Sequence, residues 1–206
     1  MSESDANRAM QAHFDERAAT YDAWWLGTGQ FAERERPGWP AEVEQLIGVV
    51  AALPSARVLD AACGTGFLTR HLRGDVTGLD RSGPMVAIAA ARMPDARVLQ
   101  GDAMPLPFGD GDFDRVFTSH FLHHLPPDGR AAFIAEARRV GRELVVVEGV
   151  RAPDAPQEEW HESAAADGAT HRHYKRAFTA AELVDELGGG EVLHEGRWFT
   201  VVACGH

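Results

Sequence analysis

The sequence predicts an α/β fold whose sheet is doubly wound and mostly parallel. Short apolar segments typical of strands alternate with segments of helical periodicity, which is the pattern of this fold class. The first unit is residues 57–69 (RVLDAACGTGFLT), where a short strand ends on Asp60 and a glycine turn leads into a predicted helix. A second strand, residues 76–79, ends on Asp80. The unbroken apolar run of residues 144–147 is typical of a parallel strand that is buried on both faces.

Length and composition favour a single domain, residues 1–206. With 45% hydrophobic residues, a chain of 206 residues can bury one sizeable core. The formal net charge of -11 makes nucleic acid an unfavourable partner, because phosphate binding relies on clustered lysines and arginines. We expect no nucleic-acid partner, and a monomer or a homodimer.

The sequence also predicts a cytoplasmic protein without a membrane partner. Residues 1–10 lack the basic and apolar regions of a signal peptide, and no apolar run approaches the ~18 residues of a membrane span. Cys63 and Cys204 provide neither a disulfide framework nor a zinc spacing. This use of cysteine favours a reducing compartment.

The glycine turn after the first strand is a candidate ligand cradle. Gly64 and Gly66 allow a ligand to approach the backbone, and a helix that starts there offers free N–H groups. The dinucleotide fingerprint G-x-G-x-x-G requires a third small residue where Thr69 stands. Asp60 would repel a pyrophosphate but would attract an ammonium or a hydroxyl group. A ligand with an amino-acid head and a ribose therefore fits better than a dinucleotide.

Four segments in order carry a resemblance to a known family. Residues 60–69 (DAACGTGFLT) are similar to the first motif of class I S-adenosylmethionine-dependent methyltransferases. Residues 76–80 resemble the second strand of that family, residues 99–103 its third strand end, and residues 113–126 its fourth strand and the following loop. The resemblance is strong over residues 57–147. It implies a Rossmann-like, seven-stranded sheet with an antiparallel last strand, and N-terminal helices.

The resemblance also implies where S-adenosylmethionine binds. Asp80 would accept the ribose hydroxyl groups, and Asp102 would accept the adenine amino proton while the Ala103 N–H donates to a ring nitrogen. Arg81 and Met85 would lie over the adenine, although core packing for Met85 and a turn-forming role for Asp102 stay open. The expected cofactor-binding residues are Tyr21, Asp60, Ala61, Gly64, Gly66, Asp80, Arg81, Met85, Asp102, Ala103 and Thr118.

Two segments are expected to cover the site. The resemblance implies that residues 1–40 form an N-terminal helical cover whose Tyr21 reaches the methionine carboxylate or the substrate, whereas the residues alone are equally consistent with a helix packed on the domain. Residues 150–176 are polar, irregular and rich in histidine, and by the same resemblance they form an insertion that covers the substrate.

Histidines near these segments are candidates for the chemistry, because histidine titrates near neutral pH. The candidate catalytic residues are His120, His173 and Tyr174. His123 and His124 are expected to cap and pack instead. A metal site is not expected, because no carboxylate or cysteine completes a recognisable set with the histidines.

Local signals predict further elements. A helix of residues 66–72 should follow the glycine turn and end at Gly74. Asp128 should cap a later helix, and Thr179 with Glu182 forms a capping-box pattern before another. A hairpin is expected over 191–194 and 197–202.

The predicted function is transfer of a methyl group from S-adenosylmethionine to an oxygen or a nitrogen of a small molecule, and less readily to a carbon, with S-adenosylhomocysteine as product. Such a displacement mainly requires that nucleophile, carbon and sulfur are held in line. The alternative is a protein that binds the same cofactor without methyl transfer, such as a cyclase or a non-catalytic binder. Thr69 disfavours a nicotinamide-dependent oxidoreductase. The sequence TSHF at residues 118–121 lacks the D/N-P-P-Y/F-like motif of nucleic-acid and protein methyltransferases.

Overall fold

The structure is a computed structural model that describes residues 11–12, 14–152, 154–164 and 170–205, with the backbone alone for residues 161–164 and 170–173. The described residues form strands and α-helices that alternate along much of the chain. The strands are β1 (Ala56–Ala61), β2 (Gly74–Asp80), β3 (Arg97–Gln100), β4 (Arg115–Ser119), β5 (Glu143–Gly149), β6 (Glu158–Ala164), β7 (Thr170–Arg176), β8 (Glu191–Glu195) and β9 (Phe199–Gly205). The α-helices are α1 (Asp22–Leu26), α2 (Trp39–Ala52), α3 (Gly83–Arg92), α4 (Pro127–Val140) and α5 (Ala180–Glu186).

The central sheet has seven strands in the order β3-β2-β1-β4-β5-β9-β8. Strands β1 to β5 run parallel to one another, whereas β9 is antiparallel to both β5 and β8. The predicted α/β, Rossmann-like sheet with an antiparallel last strand is confirmed. The strand order reverses between β1 and β4, which is where doubly wound sheets bind their ligands.

Alternate strand residues enter two different cores, because successive side chains of a strand point to opposite faces. Leu59, Val116 and Leu144 pack in one cluster with the apolar side chains of α4 and α5. Their chain neighbours Val58, Phe117 and Val145 pack in a second cluster with those of α2. Both faces of the sheet are therefore covered. Among the helices of the described residues, none combines the length and apolar character that a membrane crossing requires.

The segment after the glycine turn is shorter than expected. Instead of a helix over residues 66–72, the structure has one 3₁₀ turn, Thr69–His71. Gly74 already begins β2 at a φ of 114°, and a Cβ there would lie 2.0 Å from the Ala56 carbonyl oxygen. Phe67 and Leu68 of this segment are buried in the core cluster that contains Val58 and Phe117.

The two predicted helix starts have different outcomes. The capping box is confirmed, because the Glu182 amide donates to Thr179 Oγ1 at 3.2 Å and the Thr179 amide donates to Glu182 Oε2 at 2.8 Å. The prediction that Asp128 caps α4 is wrong. Pro126 occupies that position without a side-chain cap, and Asp128 lies in the first turn. Pro127 has no N–H that needs a cap, and its fixed φ starts the helix.

Glu42 of α2 determines the turn of the C-terminal hairpin β8–β9. Its side chain is buried, and it accepts the amide protons of Arg197 at 3.1 Å, Trp198 at 2.7 Å and Phe199 at 2.8 Å. The predicted hairpin is present, but its turn comprises residues 196–198 and is longer than expected. The Glu42 carboxylate lies within this turn and binds its amide groups.

The N-terminal cover and the insertion are both more regular than a polar loop. The cover contains α1 and the 3₁₀ turns Ala18–Thr20 and Gly29–Phe31. The insertion, expected to be irregular, forms the antiparallel pair β6–β7, in which Trp160 lies opposite Tyr174. The two rings are 5.5 Å apart, and such cross-strand aromatic pairs stabilise hairpins.

Candidate active site

Three carboxylates follow neighbouring parallel strands at one edge of the sheet. Asp60 lies near the end of β1, Asp80 ends β2, and Asp102 follows β3. The register pairs Asp60 with Gly78 and Asp80 with Gln100, so these strand ends lie side by side. The arrangement places an acidic row next to the glycine turn.

Asp80 is held by the glycine turn itself. Its Oδ2 accepts the Gly64 amide proton at 2.8 Å, and its Oδ1 accepts the Ser82 amide proton at 2.9 Å. Burial raises the pKa of Asp80, although both amide donors favour the charged form. Gly64 adopts a φ of 54°, a backbone conformation that residues other than glycine rarely adopt. The carboxylate is thus fixed while lone pairs remain for hydroxyl groups of a ligand.

Asp60 has one oxygen bonded and one without a partner. Its Oδ2 accepts the Thr69 hydroxyl proton at 2.5 Å, whereas Oδ1 is buried and has no hydrogen-bond partner among the described residues. Burial raises the pKa of Asp60 to about 8, the Thr69 bond opposes the rise, and the nearby Asp80 adds to it. A buried oxygen without a hydrogen-bond partner is unfavourable unless a ligand donates a hydrogen bond to it. Sequence reasoning used Thr69 only to exclude dinucleotides and missed that it orients Asp60.

A cavity opens beside Asp60 and the glycine turn. Of the residues predicted for the site, Tyr21, Asp60, Gly64 and His120 line it. No sequence signal identified most of the remaining wall. The other lining residues are Trp25, Ala62, Cys63, Thr65, Phe67, Leu68, Thr69 and Ser119.

The residues expected around the adenine are not part of this cavity wall. Asp102 is half exposed, and its Oδ1 accepts the Met104 amide proton at 3.1 Å in a local turn. Its Oδ2 is 3.7 Å from the Arg81 guanidinium. Met85 and Ala103 are both buried.

Ala61, Thr118 and Gly66 shape the site through backbone and packing. The Thr118 hydroxyl donates to the Ala61 carbonyl at 2.7 Å, which joins the ends of β1 and β4 at the switch of strand order. Gly66 has a φ of 73°, and a Cβ there would lie 2.9 Å from Met93 Cε.

Two residues that are not glycine adopt left-handed backbone conformations at strand ends. Ala62, after β1, has a φ of 64°, and His120, after β4, has a φ of 55°. Such conformations are uncommon for side-chain-bearing residues and cluster at functional sites. No local sequence signal predicted them.

The N-terminal cover is fastened to the glycine turn. Asp22 accepts the Thr65 hydroxyl proton at 2.5 Å and pairs with the Arg92 guanidinium of α3 at 2.5 Å. Arg92 also donates to the Thr65 carbonyl at 2.9 Å. This places the Tyr21 phenol against the cavity, where burial raises its pKa to about 12 and the charge of Asp80 adds to the rise.

His120 lines the same cavity and lies among aromatic rings. Its ring centroid is 4.9 Å from that of Trp24 and 5.0 Å from that of Trp25. Nδ1 is 3.0 Å from Ser119 Oγ, and Nε2 is buried without a hydrogen-bond partner among the described residues. Burial lowers the pKa of His120 to about 4, although the Glu148 carboxylate opposes this, so the ring is neutral at physiological pH.

Tyr174, another predicted catalytic residue, does not line the cavity. The Tyr174 hydroxyl donates to Glu158 at 2.5 Å and accepts from Arg130 at 3.1 Å, and Tyr174 is absent from the cavity wall. The side chain of His173 lies outside the described residues. In the part of the chain that the structure describes, no group of three or more metal-ligating side chains converges.

A family model described as a methyltransferase domain matches residues 58–143. The chain is 32% identical over 170 residues to a demethylmenaquinone methyltransferase of Beutenbergia cavernae, which covers 74% of this chain and 69% of that protein. It spans 48% to 57% of three further relatives of that name.

Solved structures agree with this relationship. DhpI in complex with S-adenosylhomocysteine has a TM-score of 0.71 at 28% identity, over 94% of this chain and 93% of that one. A complex of DhpI with S-adenosylmethionine and HEP has a TM-score of 0.72 at 25% identity, over 99% of both chains. The cofactor of these neighbours has the amino-acid head and ribose for which the acidic strand ends are suited. The chain therefore belongs to the class I S-adenosylmethionine-dependent methyltransferases, enzymes that transfer the cofactor's methyl group to an acceptor.

Proposed function

We propose that this enzyme methylates an oxygen or a nitrogen of a small molecule, with the cofactor lying across the ends of β1, β2 and β3. The observation that carries the proposal is the pair formed by Asp80, fixed by the Gly64 and Ser82 amides, and Asp60, whose Oδ1 has no partner among the described residues. The Asp80 carboxylate is oriented to accept hydrogen bonds from ribose hydroxyl groups. Oδ1 of Asp60 gains a hydrogen bond when a ligand donates one.

The unpaired oxygen of Asp60 suits the ammonium group of the methionine moiety, because an adjacent positive charge favours the ionised acid. The methionine moiety then lies along the glycine turn, beside Ala61, Gly66 and the backbone of Thr118. At the other end, Asp102 and Ala103 bind the adenine edge, and Arg81 and Met85 contribute to its surroundings. This assigns the following residues to the cofactor: Tyr21, Asp60, Ala61, Gly64, Gly66, Asp80, Arg81, Met85, Asp102, Ala103 and Thr118.

Tyr21 and His120 border the place where the methyl group is transferred. Both line the cavity, Tyr21 from the cover and His120 from the end of β4. The neutral His120 has a free Nε2 that can hydrogen-bond an acceptor. We assign His120 to substrate contact. Tyr174 is assigned to holding β7 on α4, because both bonds of its hydroxyl go to Arg130 and Glu158.

The acceptor is a small molecule, and demethylmenaquinone is the first to test, since the Beutenbergia relative is named for it. The acidic chain, with a net charge of -11, supports the absence of a nucleic-acid partner. The free, buried Cys63 and Cys204 support a cytoplasmic location. We further propose one domain over residues 1–206, with 1–40 and 150–176 as covers, in a monomer or homodimer.

Calorimetric titration with S-adenosylhomocysteine tests the cofactor site. We expect binding by the wild type and a loss of tenfold or more for Asp80→Asn, because a hydrogen bond to a charged group is worth about 1.5–3 kcal/mol. Asp114→Asn is the matched control, since Asp114 pairs with Arg57 in an exposed ion pair just before β4. A wild type that binds neither S-adenosylmethionine nor S-adenosylhomocysteine would contradict the proposal.

A further inference from the structure

Glu148 of β5 is a fully buried carboxylate whose two oxygens both bond to His123. Oε2 lies 2.8 Å from His123 Nδ1, and Oε1 accepts the His123 amide proton at 3.2 Å. Burial opposes ionisation of Glu148, but the contacts with His123 outweigh it, so the pKa of this acid is lowered. The sequence pattern predicted that His123 caps and packs. The structure gives it a charged partner that is hidden from water.

The pair lies beside the cavity. His123 is in the 3₁₀ turn Leu122–His124 that follows β4, and its ring centroid is 5.7 Å from that of His120, a cavity-lining residue. The His123 side chain is 18% exposed, so it is not fully buried. Tyr21, which also lines the cavity, is close enough to Glu148 for that carboxylate to add to the rise of its pKa.

A structural role alone does not account for the charge. Capping the His123 amide requires one acceptor oxygen, which a neutral glutamine would supply. A buried ionised carboxylate instead carries a desolvation cost that needs a compensating partner. A carboxylate on one ring nitrogen of a histidine fixes the tautomer and stabilises the imidazolium that forms when the other nitrogen takes a proton.

We propose that His123, oriented by Glu148, is the general base that removes the proton from the hydroxyl group of an aromatic acceptor. The inference rests on the proposed function and names its acceptor class. The aromatic nature of the acceptor follows from the cavity wall, where Trp25 stacks on Phe67 with centroids 4.9 Å apart. A planar acceptor can pack against such a wall of aromatic rings.

The step is balanced without a further reactant. Because Nδ1–H donates to Glu148, the lone pair of His123 is on Nε2. An oxygen lone pair of the acceptor forms the new O–C bond, the C–S bond breaks, and its electron pair goes to sulfur to give S-adenosylhomocysteine. The hydroxyl proton moves to His123 Nε2. His120 does not suit this task, because burial lowers its pKa to about 4, and a base is most effective when its pKa is near the working pH.

The test compares two acceptors of the same shape, p-cresol and p-thiocresol. The phenol keeps its proton at neutral pH and needs a base, whereas the thiol ionises more easily and depends on a base much less. His123→Asn retains an amide that donates to Glu148 but lacks the basic nitrogen. Glu148→Gln retains an oxygen for the His123 amide but removes the charge. His194→Asn is the control, because His194 also faces a buried carboxylate, Glu42 at 3.6 Å, on the edge strand β8.

For His123→Asn we expect kcat with p-cresol to fall about 10²–10⁴-fold, the usual contribution of a general base, with KM little changed. Transfer to p-thiocresol should be nearly retained. Glu148→Gln should show the same selective loss to a smaller extent, and His194→Asn should match the wild type. Calorimetry with S-adenosylhomocysteine and thermal unfolding establish that each variant is folded and binds cofactor.

Three results would overturn the assignment: equal losses with both acceptors in His123→Asn, no loss with p-cresol, or a wild type that binds S-adenosylhomocysteine but methylates no phenol. Failure of the wild type to bind S-adenosylhomocysteine would instead contradict the proposed function.

Discussion

Asp22 of the N-terminal cover and Arg92 of α3 form an ion pair of 2.5 Å beside the glycine turn. Thr65 of that turn donates its hydroxyl proton to the same carboxylate. The ion pair therefore links the N-terminal cover to the glycine turn. Both of its side chains are mostly buried.

Arg92→Gln should loosen the cover. The loss of a charge-assisted hydrogen bond costs about 1.5–3 kcal/mol, so we expect S-adenosylhomocysteine to bind roughly tenfold more weakly and to dissociate faster. Stopped-flow dissociation with calorimetry measures both. Arg57→Gln is the control, because it removes an ion pair of 2.8 Å at the opposite end of the strands. Equal affinities for Arg92→Gln and the wild type would show that the cover does not depend on this pair.

Cofactor binding should release a proton from Asp60. With a pKa of about 8, the acid is mostly protonated at pH 7 in the free protein, and a ligand ammonium beside it would favour the ionised form. Titrations of S-adenosylhomocysteine in buffers of different ionisation enthalpy should report a release that approaches one proton. Asp60→Asn should abolish it. A heat independent of the buffer would contradict the role given to Asp60.

Asp60 should also make the free protein less stable as pH rises. The folded protein binds this proton more tightly than the unfolded chain, where the acid has its ordinary pKa of 3.8, so stability is lost between about pH 4 and pH 8. Asp60→Asn should match the wild type near pH 4 and become more stable than it by up to a few kcal/mol near pH 8. Thermal unfolding across this range measures the difference. Parallel pH curves would refute the expectation.

Two glycines should respond differently to alanine. Gly38 has a φ of 81°, and a Cβ added there would have nothing within 4 Å, so Gly38→Ala should cost only backbone strain of about 1–2 kcal/mol. At Gly74 a Cβ would meet the Ala56 carbonyl oxygen at 2.0 Å, and backbone cannot move aside cheaply. Gly74→Ala should therefore fail to fold or unfold at a much lower temperature. Similar stabilities in urea would contradict this.

Glu42→Gln should destabilise the C-terminal hairpin. The carboxylate of Glu42 accepts three backbone amide protons from residues 197–199. The side-chain nitrogen of a glutamine cannot accept a proton, so at least one of these buried backbone amides loses its partner, at a cost of about 1–3 kcal/mol. Urea unfolding measures the loss, and Glu44→Gln on the exposed face of α2 is the control. A loss no larger than that of the control would mean that the turn does not need the charge.

Local patterns were sufficient to predict the framework. The strand tips at Asp60 and Asp80 and the turn at Gly64 each depend on a few consecutive residues, and the confirmed sheet follows from their order. The predicted helix over residues 66–72 is wrong, because the structure has only the 3₁₀ turn Thr69–His71 in this segment.

Contacts between distant parts of the chain were not predictable in this way. Glu148 bonds to a residue 25 positions away, and Tyr174 to Arg130, 44 positions away. A single sequence carries no signal for such pairings. The sequence therefore predicts neither the partner of His123 nor that of Tyr174.

Strand β9 lies between β5 and β8 although it is the last strand of the described chain. A nascent polypeptide can pair β1 to β5 early, but the outer strand β8 has no place to dock until residues 199–205 have emerged from the ribosome. Until then the flank of β5 is an open edge that other chains can join. Pairing of β9 therefore covers the edge of the buried strand β5, and shortening β9 should yield insoluble material rather than a smaller enzyme.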